Sequence, residues 1–162
     1  MKKLVCVLLT LGVSGMANAG PLGEGLRGKR WGEAVEAAPG ADCAQEADGG
    51  WICKEKVGDI EVDVGYGTLE DHRLYSIIMI GKGFSSCEAL LQTLSEAWGR
   101  GGKDQYDSSA LPKTTWFTLG AIGSFEYNRY SERCTVLAMN TSLYREKERA
   151  GKKKAAEAAS SL

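Results

Sequence analysis

The sequence predicts an α+β domain in which helices pack on one face of an antiparallel sheet. Two observations predict this fold class. Six segments are rich in β-branched, aromatic or alternating apolar residues, which is typical of strands. One longer segment instead carries apolar residues at helical spacing. In a small domain of this class, one face of the sheet is expected to lie under the helices and the other to stay open.

The first 19 residues have the features of a secretory signal peptide. Two lysines precede an apolar run at residues 4–13, and Ala17 and Ala19 form a small-residue cleavage motif. The run of about ten residues is shorter than the roughly twenty that span a bilayer. We therefore expect a soluble protein, periplasmic or secreted, with no transmembrane segment.

Charge and length define three segments: the signal peptide (1–19), a single disulfide-stapled domain (20–144) and a basic, flexible C-terminal tail (145–162). The whole chain has 20 Lys and Arg against 21 Asp and Glu, a net charge of −1. The tail has six basic and three acidic residues, so it is net +3 and the domain is net −6. Without a global positive excess, we expect no nucleic-acid partner.

In order along the mature chain, a short helix is predicted at residues 33–38, and Pro39 and Gly40 terminate it. The main helix is predicted at 86–98, with a capping box formed by Ser85 and Glu88. Strands are predicted on either side of it, at residues 51–54, 60–66, 73–80, 114–119, 122–130 and 134–139.

Four cysteines follow the signal peptide, an even number that favours two disulfides in an exported protein. The turn-forming residues 48–50 favour pairing Cys43 with Cys53. Cys87 and Cys134 then pair by elimination. A metal site built from the four thiolates is the alternative, but no C-x2-C spacing supports it. We expect neither a metal nor a cofactor.

The two halves of the domain repeat an order of landmarks that favours a tandem α-β-β-β duplication. The matched landmarks are Trp31-Gly32 with Trp98-Gly99, Trp51 with Trp116, Gly58-Asp59-Ile60 with Gly120-Ala121-Ile122, and residues 74–80 with 134–140. With the signal peptide and the local disulfide, this order resembles the two-repeat fold of β-lactamase-inhibitor-like proteins, which are small secreted or periplasmic bacterial proteins. The resemblance covers residues 26–144 and implies a sheet face that binds another protein.

Aromatic residues on the predicted strands are the main candidates for a binding surface. Tyrosine and arginine together are the composition of binding hot spots, and filling the core is the alternative role of each aromatic side chain. The candidate binding residues are Tyr66, Trp116, Tyr127, Arg129 and Tyr130.

No set of catalytic residues is evident from the sequence. His72 is the only histidine and lies in a predicted turn, with no nucleophile motif to receive it. Glu61 and Asp63 share the polar face of one strand, and Glu126 is a further carboxylate that an enzyme could use.

The sequence therefore favours an exported module that binds another protein of the envelope or medium, such as a hydrolase that it inhibits. A carrier of a small apolar or lipid ligand is the alternative, and an enzyme comes third. The tail is expected to be a solvent-exposed helix or disordered. Its clustered lysines are expected to be solvated, with weak contact to anionic surfaces as the alternative role.

Overall fold

The computed structural model describes residues 21–26, 28–35, 43–45 and 51–160. The predicted signal peptide lies outside these residues. The elements in chain order are β1 (Gly25–Leu26), β2 (Lys29–Arg30), β3 (Cys43–Gln45), β4 (Trp51–Val57), β5 (Ile60–Thr68), β6 (Leu74–Lys82), α1 (Phe84–Trp98), β7 (Gly102–Lys103), β8 (Thr114–Thr118), β9 (Ala121–Asn128), β10 (Arg133–Asn140) and α2 (Thr141–Ser160).

Within the described residues, eight strands form one sheet in the order β3-β4-β5-β6-β10-β9-β8-β7, and every neighbouring pair is antiparallel. The order contains two meanders, β3 to β6 and β7 to β10, that meet where β6 pairs with β10. Each of the six predicted strands overlaps an observed one, and the α+β fold class is confirmed. The tandem duplication stays a prediction.

Helix α1 covers one face of the sheet because its apolar stripe has strand residues to pack against. Cys87, Leu90 and Leu94 of α1 are buried. The sheet residues buried in the same core alternate along their strands, as a half-covered sheet requires: they include Val62, Val64, Ile77, Met79, Phe125, Val136 and Ala138.

Both predicted disulfides are confirmed. Cys43 and Cys53 lie directly opposite each other on β3 and β4, with Cα atoms 4.0 Å apart. Cys87 and Cys134 join α1 to β10, and their Cα atoms are 5.7 Å apart. Gly81 makes room for this second bridge, since a Cβ there would lie 2.8 Å from the Cys134 sulfur.

Three aliphatic side chains, separated and flanked by small residues, lie in one row on the opposite face of the sheet. The strand register makes direct neighbours of Ile52, Gly65, Ile78, Leu137, Ser124 and Thr115, from β4 across to β8. Ile52 is 37% exposed and Ile78 is 40% exposed. Small residues flank these aliphatic side chains, so other atoms can approach this part of the sheet closely.

The predicted first helix is wrong over the described residues 33–35. Ala34 instead forms an isolated antiparallel bridge with Arg73, and the Val35 N–H donates to the His72 carbonyl. A helix of under two turns is marginal alone, so pairing with the sheet satisfies this backbone better. Residues 36–38 lie outside the described part of the chain.

The predicted capping box is also wrong. Helix α1 begins at Phe84, two residues before the predicted start, and its N-cap is Gly83, without a side-chain hydrogen bond. Gly83 adopts a φ of 84°, which suits glycine, and accepts a hydrogen bond from the Cys87 N–H at 3.0 Å. The sharp turn between β6 and α1 therefore depends on glycine and leaves Ser85 on the exposed side of the helix.

The C-terminal helix α2 starts at Thr141, four residues before the predicted start of the tail, and has no buried residue. Of the two predicted forms of the tail, the exposed helix is the one observed. Arg73 connects it to the domain through an ion pair with Glu146 at 2.5 Å. In the described part of the chain, no helix has the length and apolar character needed to cross a membrane.

Candidate binding cleft

An open cleft of about 610 Å³ lies beside the turn between β9 and β10. Three elements contribute to it: the start of α1, the end of β9 with its turn, and the loop between β7 and β8. The lining residues are Phe84, residues 107–110, and residues 126–130.

Two aromatic rings form the floor of the cleft. Phe84 and Tyr127 meet edge to face, with ring centroids 5.9 Å apart and planes at 85°. Alternation along β9 places Tyr127 on the same face as the buried Phe125. Tyr127 lies closer to the end of the strand, near the first turn of α1, and is therefore only partly buried.

The β9–β10 turn forms one wall and is held in place at both ends. The Asn128 side-chain oxygen accepts hydrogen bonds from the backbone N–H groups of Tyr130 at 2.9 Å and Ser131 at 3.2 Å. The Gly83 N–H donates to the Glu132 carbonyl at 2.7 Å, which ties the turn to the start of α1. The wall is thus positioned before any partner arrives.

Arg129 and Tyr130 present exposed polar groups at the cleft. Tyr130 is 85% exposed. The Arg129 guanidinium carbon lies 4.9 Å from the Tyr130 ring centroid, and its Nη2 donates to the phenol oxygen at 2.8 Å. A guanidinium has five N–H donors, so most remain for a carbonyl or carboxylate of a partner.

Asp107 organises the opposite wall. Its carboxylate accepts hydrogen bonds from the backbone N–H groups of Ser109 at 2.9 Å and Lys113 at 2.7 Å. The Ser109 side chain, followed by these two N–H groups, holds the pKa of Asp107 below its usual value of 3.8. The loop is also anchored by Leu111, which is 3% exposed.

The structure brings together three of the five residues predicted for binding, Tyr127, Arg129 and Tyr130. The other two belong to the core. Tyr66 is 3% exposed and donates its hydroxyl to Glu55 at 2.5 Å. Trp116 is 2% exposed and donates its indole N–H to the Gly99 carbonyl at 2.8 Å. Neither offers its ring to a partner.

Of the residues that an enzyme could use, Glu61 and Asp63 lie together on β5 and both line an open depression, whereas Glu126 and His72 lie apart from them. Glu126 forms an ion pair with Lys113 at 3.3 Å. The register places Asp63 three strand spacings from Glu126, about 14 Å away. His72 lies in the turn between β5 and β6, at the opposite end of β5 from Glu61.

Sequence reasoning missed Phe84 and Asp107 as parts of the cleft. The signal for Phe84 was available, since the apolar stripe of α1 continues one turn back from Cys87. Asp107 followed by Ser109 is a typical turn pattern, in which the carboxylate accepts a local backbone N–H. The position of Asp107 across the cleft from Tyr130 depends on the path of the whole loop between β7 and β8.

A second, larger depression of about 920 Å³ lies where β4, β5 and β6 approach the start of α1. Its lining alternates cations and carboxylates, among them Lys54, Asp63 and Lys82. Asp63 and Lys82 form an ion pair at 3.3 Å, so part of this charge is already compensated. With no aromatic lining, this depression has fewer groups able to anchor a protein partner than the cleft has.

No family model, curated protein or solved structure matches this chain. Among the described residues, no three histidine, cysteine, aspartate or glutamate side chains are grouped closely enough to hold a metal ion.

Proposed function

We propose that this protein is an exported binding module whose cleft takes a segment of another protein. The observation that carries the proposal is the exposed Arg129–Tyr130 pair above the ring floor of Phe84 and Tyr127. Tyrosine and arginine are the residues that most often dominate the binding energy of protein interfaces. Hydrogen bonds already fix the turn that carries them, so less conformational entropy is lost on binding.

The chemistry of the cleft defines the segment that it fits. An apolar or aromatic side chain can pack on the rings of Phe84 and Tyr127. A carbonyl or carboxylate beside it can accept from Arg129. The cleft volume of about 610 Å³ suits a short segment with one or two anchoring side chains.

The partner belongs to an oxidising compartment, the periplasm or the extracellular medium. Two disulfides support this location, since such bonds persist mainly in exported proteins. A hydrolase that the module inhibits and a structural protein of the envelope are both consistent with the cleft.

The test uses the oxidised protein as bait and compares three forms: wild type, Tyr130→Ala and Tyr106→Ala. Tyr106 is the matched control, since it is 86% exposed and lies outside the cleft lining. Proteins of the native envelope and medium are captured, and each retained protein is quantified by mass spectrometry. Affinity of the purified candidate is then measured by calorimetry.

We expect one stoichiometric protein that wild type and Tyr106→Ala retain and that Tyr130→Ala loses, with affinity reduced about 30-fold or more. Thermal stability should be nearly equal in all three, because both tyrosines are exposed. A partner lost equally from both variants, or no retained protein, would overturn the proposal.

The ligand-carrier alternative stays a prediction and has its own test. Cys87, Leu90 and Leu94 are fully buried where α1 meets the sheet, so packed side chains fill that space. A carrier predicts a small molecule released when the purified protein is denatured. A clean mass spectrum of the released fraction would count against it.

A further inference from the structure

We propose that the outward side of α2 docks on the surface of an anionic phospholipid bilayer. This inference is independent of the cleft and goes beyond the binding of a protein partner. It rests on how α2 is attached to the domain. The attachment determines which basic side chains of the helix face away from the domain.

One side of α2 is held against the domain. The Lys147 ammonium donates to the Tyr75 hydroxyl and lies 4.7 Å from the centroid of the Tyr75 ring. Lys154 forms an ion pair with Glu70. The Leu143 side chain also faces the domain, since a Cβ added to Gly32 would lie 3.8 Å from its Cδ1.

These contacts set the rotation of the helix about its own axis. At 3.6 residues per turn, Leu143, Lys147 and Lys154 fall within an arc of about 40°. Flanking contacts agree with this orientation. Tyr144 meets the Tyr75 ring at 6.3 Å, and Glu146 pairs with Arg73.

Three cations lie on the opposite side of α2, and they form what we call the basic stripe: Arg145, Arg149 and Lys152. Helical geometry places them within an arc of about 60°, roughly opposite the attached side, along about 10 Å of the axis. All three are exposed, and none has an ion-pair partner among the described residues. Lys153 lies at the edge of the stripe and pairs weakly with Glu157 at 3.8 Å.

Charge complementarity favours an anionic surface as the occupant. The outward side of α2 carries these three cations and one exposed carboxylate, Glu148, so it is net positive and is attracted to anionic lipid headgroups. The domain that carries the helix is net −6, so a flat surface that contacts only α2 avoids most of the repulsion. A polyanion that wraps around the protein would meet that negative charge.

The other residues of α2 lack free groups for reading adenine or for stacking on nucleic-acid bases. Adenine is read by asparagine or glutamine, and the bases of single strands stack on aromatic side chains. Residues 141–160 contain neither asparagine nor glutamine, and their one aromatic residue, Tyr144, is engaged with Tyr75. The basic stripe also lacks large apolar side chains, so the helix lies on the bilayer surface by charge alone.

The experiment measures sedimentation of the oxidised protein with vesicles. The probe vesicles contain phosphatidylcholine with about one-third phosphatidylglycerol, and the reference vesicles contain phosphatidylcholine alone, both at about 0.1 M salt or below. The test variant combines Arg145→Gln, Arg149→Gln and Lys152→Gln. The control variant removes equal charge elsewhere, through Lys54→Gln, Arg100→Gln and Lys103→Gln, which are exposed cations outside α2.

We expect wild type and the control variant to bind only the phosphatidylglycerol vesicles. Each cation of the stripe should contribute about fivefold, so the test variant should bind about 100-fold more weakly. Circular dichroism should show the same helix content in all forms. No sedimentation of wild type, or equal loss in both variants, would overturn the proposal. So would binding to a short DNA duplex without binding to vesicles.

Discussion

The indole of Trp98 at the end of α1 meets the indole of Trp116 on β8 edge to face, with ring centroids 5.2 Å apart and planes at 83°. This pair connects the helix to the second meander of the sheet. Trp116 also donates to the Gly99 carbonyl, directly after the helix. The contact holds the end of α1 over the sheet and therefore contributes to the position of its start, where Phe84 lies in the cleft.

Trp116→Ala should lower the free energy of unfolding by about 3–5 kcal/mol, since it empties a large buried volume and leaves the Gly99 carbonyl without its donor. Phe117→Ala is the matched control at the next position of the same strand, where the side chain is 74% exposed. Its effect should stay within about 0.5 kcal/mol. Urea unfolding of both variants measures the difference, and similar losses would contradict this packing.

Gly123→Ala should destabilise the protein by about 1–3 kcal/mol through overpacking. A Cβ at Gly123 would lie 2.6 Å from a ring carbon of Trp98, and the indole cannot retreat easily because Trp116 lies against it. Gly102→Ala is the control, since the nearest atom to its Cβ would be 3.8 Å away. An unchanged melting temperature for Gly123→Ala would show that the indole has room to move.

The two disulfides should contribute unequally to stability. The Cys87–Cys134 bridge spans 47 residues and the Cys43–Cys53 bridge spans 10. On the loop-entropy relation, their removal lowers the free energy of unfolding by about 4 and about 3 kcal/mol, respectively. Double alanine variants of each pair, unfolded in urea, test the order. A larger loss for the Cys43–Cys53 pair would contradict it.

Asp107 should make stability depend on pH in the acid range. Its pKa is lowered in the folded protein, so the stabilisation is present above its ordinary pKa of 3.8 and is lost as the pH falls through the folded value. Asp107→Asn should therefore be less stable than wild type at neutral pH, and the gap should narrow below about pH 4. Urea midpoints measured across this range test the prediction.

Ser108→Ala is the control for that experiment, because Ser108 is exposed and the substitution leaves the carboxylate in place. It should keep the pH dependence of wild type. If the gap between Asp107→Asn and wild type stays constant from pH 7 down to about pH 3, the carboxylate does not supply the expected linkage.

Much of the fold was predictable because strand alternation and helix spacing are local signals. The edge strands β3 and β7 were missed, since two or three residues are too few for a period. The predicted helix was wrong over the described residues 33–35 because a local signal does not show which distant residues the backbone pairs with. Its sequence suits a helix, but Ala34 instead bridges Arg73 and the Val35 N–H donates to the His72 carbonyl, and both partners are distant in the chain.

The cleft was predictable where its residues are neighbours in sequence. Tyr127, Arg129 and Tyr130 come from one strand end and its turn. Trp116 shows the limit of prediction from sequence. Alternation shows that Thr114 and Trp116 share a face of the sheet, but it does not show which face a helix covers. Which face is covered depends on α1. This helix lies over Gly123, the direct neighbour of Trp116 on β9.

The bond between Cys87 and Cys134 closes a covalent ring that contains β7, β8, β9 and most of α1. A protease that cuts one peptide bond inside this ring, such as one near the exposed Ser108, therefore cannot release a fragment. The nicked protein keeps its mass apart from one added water and separates into two pieces only after reduction. One wall of the cleft can thus be opened by proteolysis while the rest of the domain stays joined.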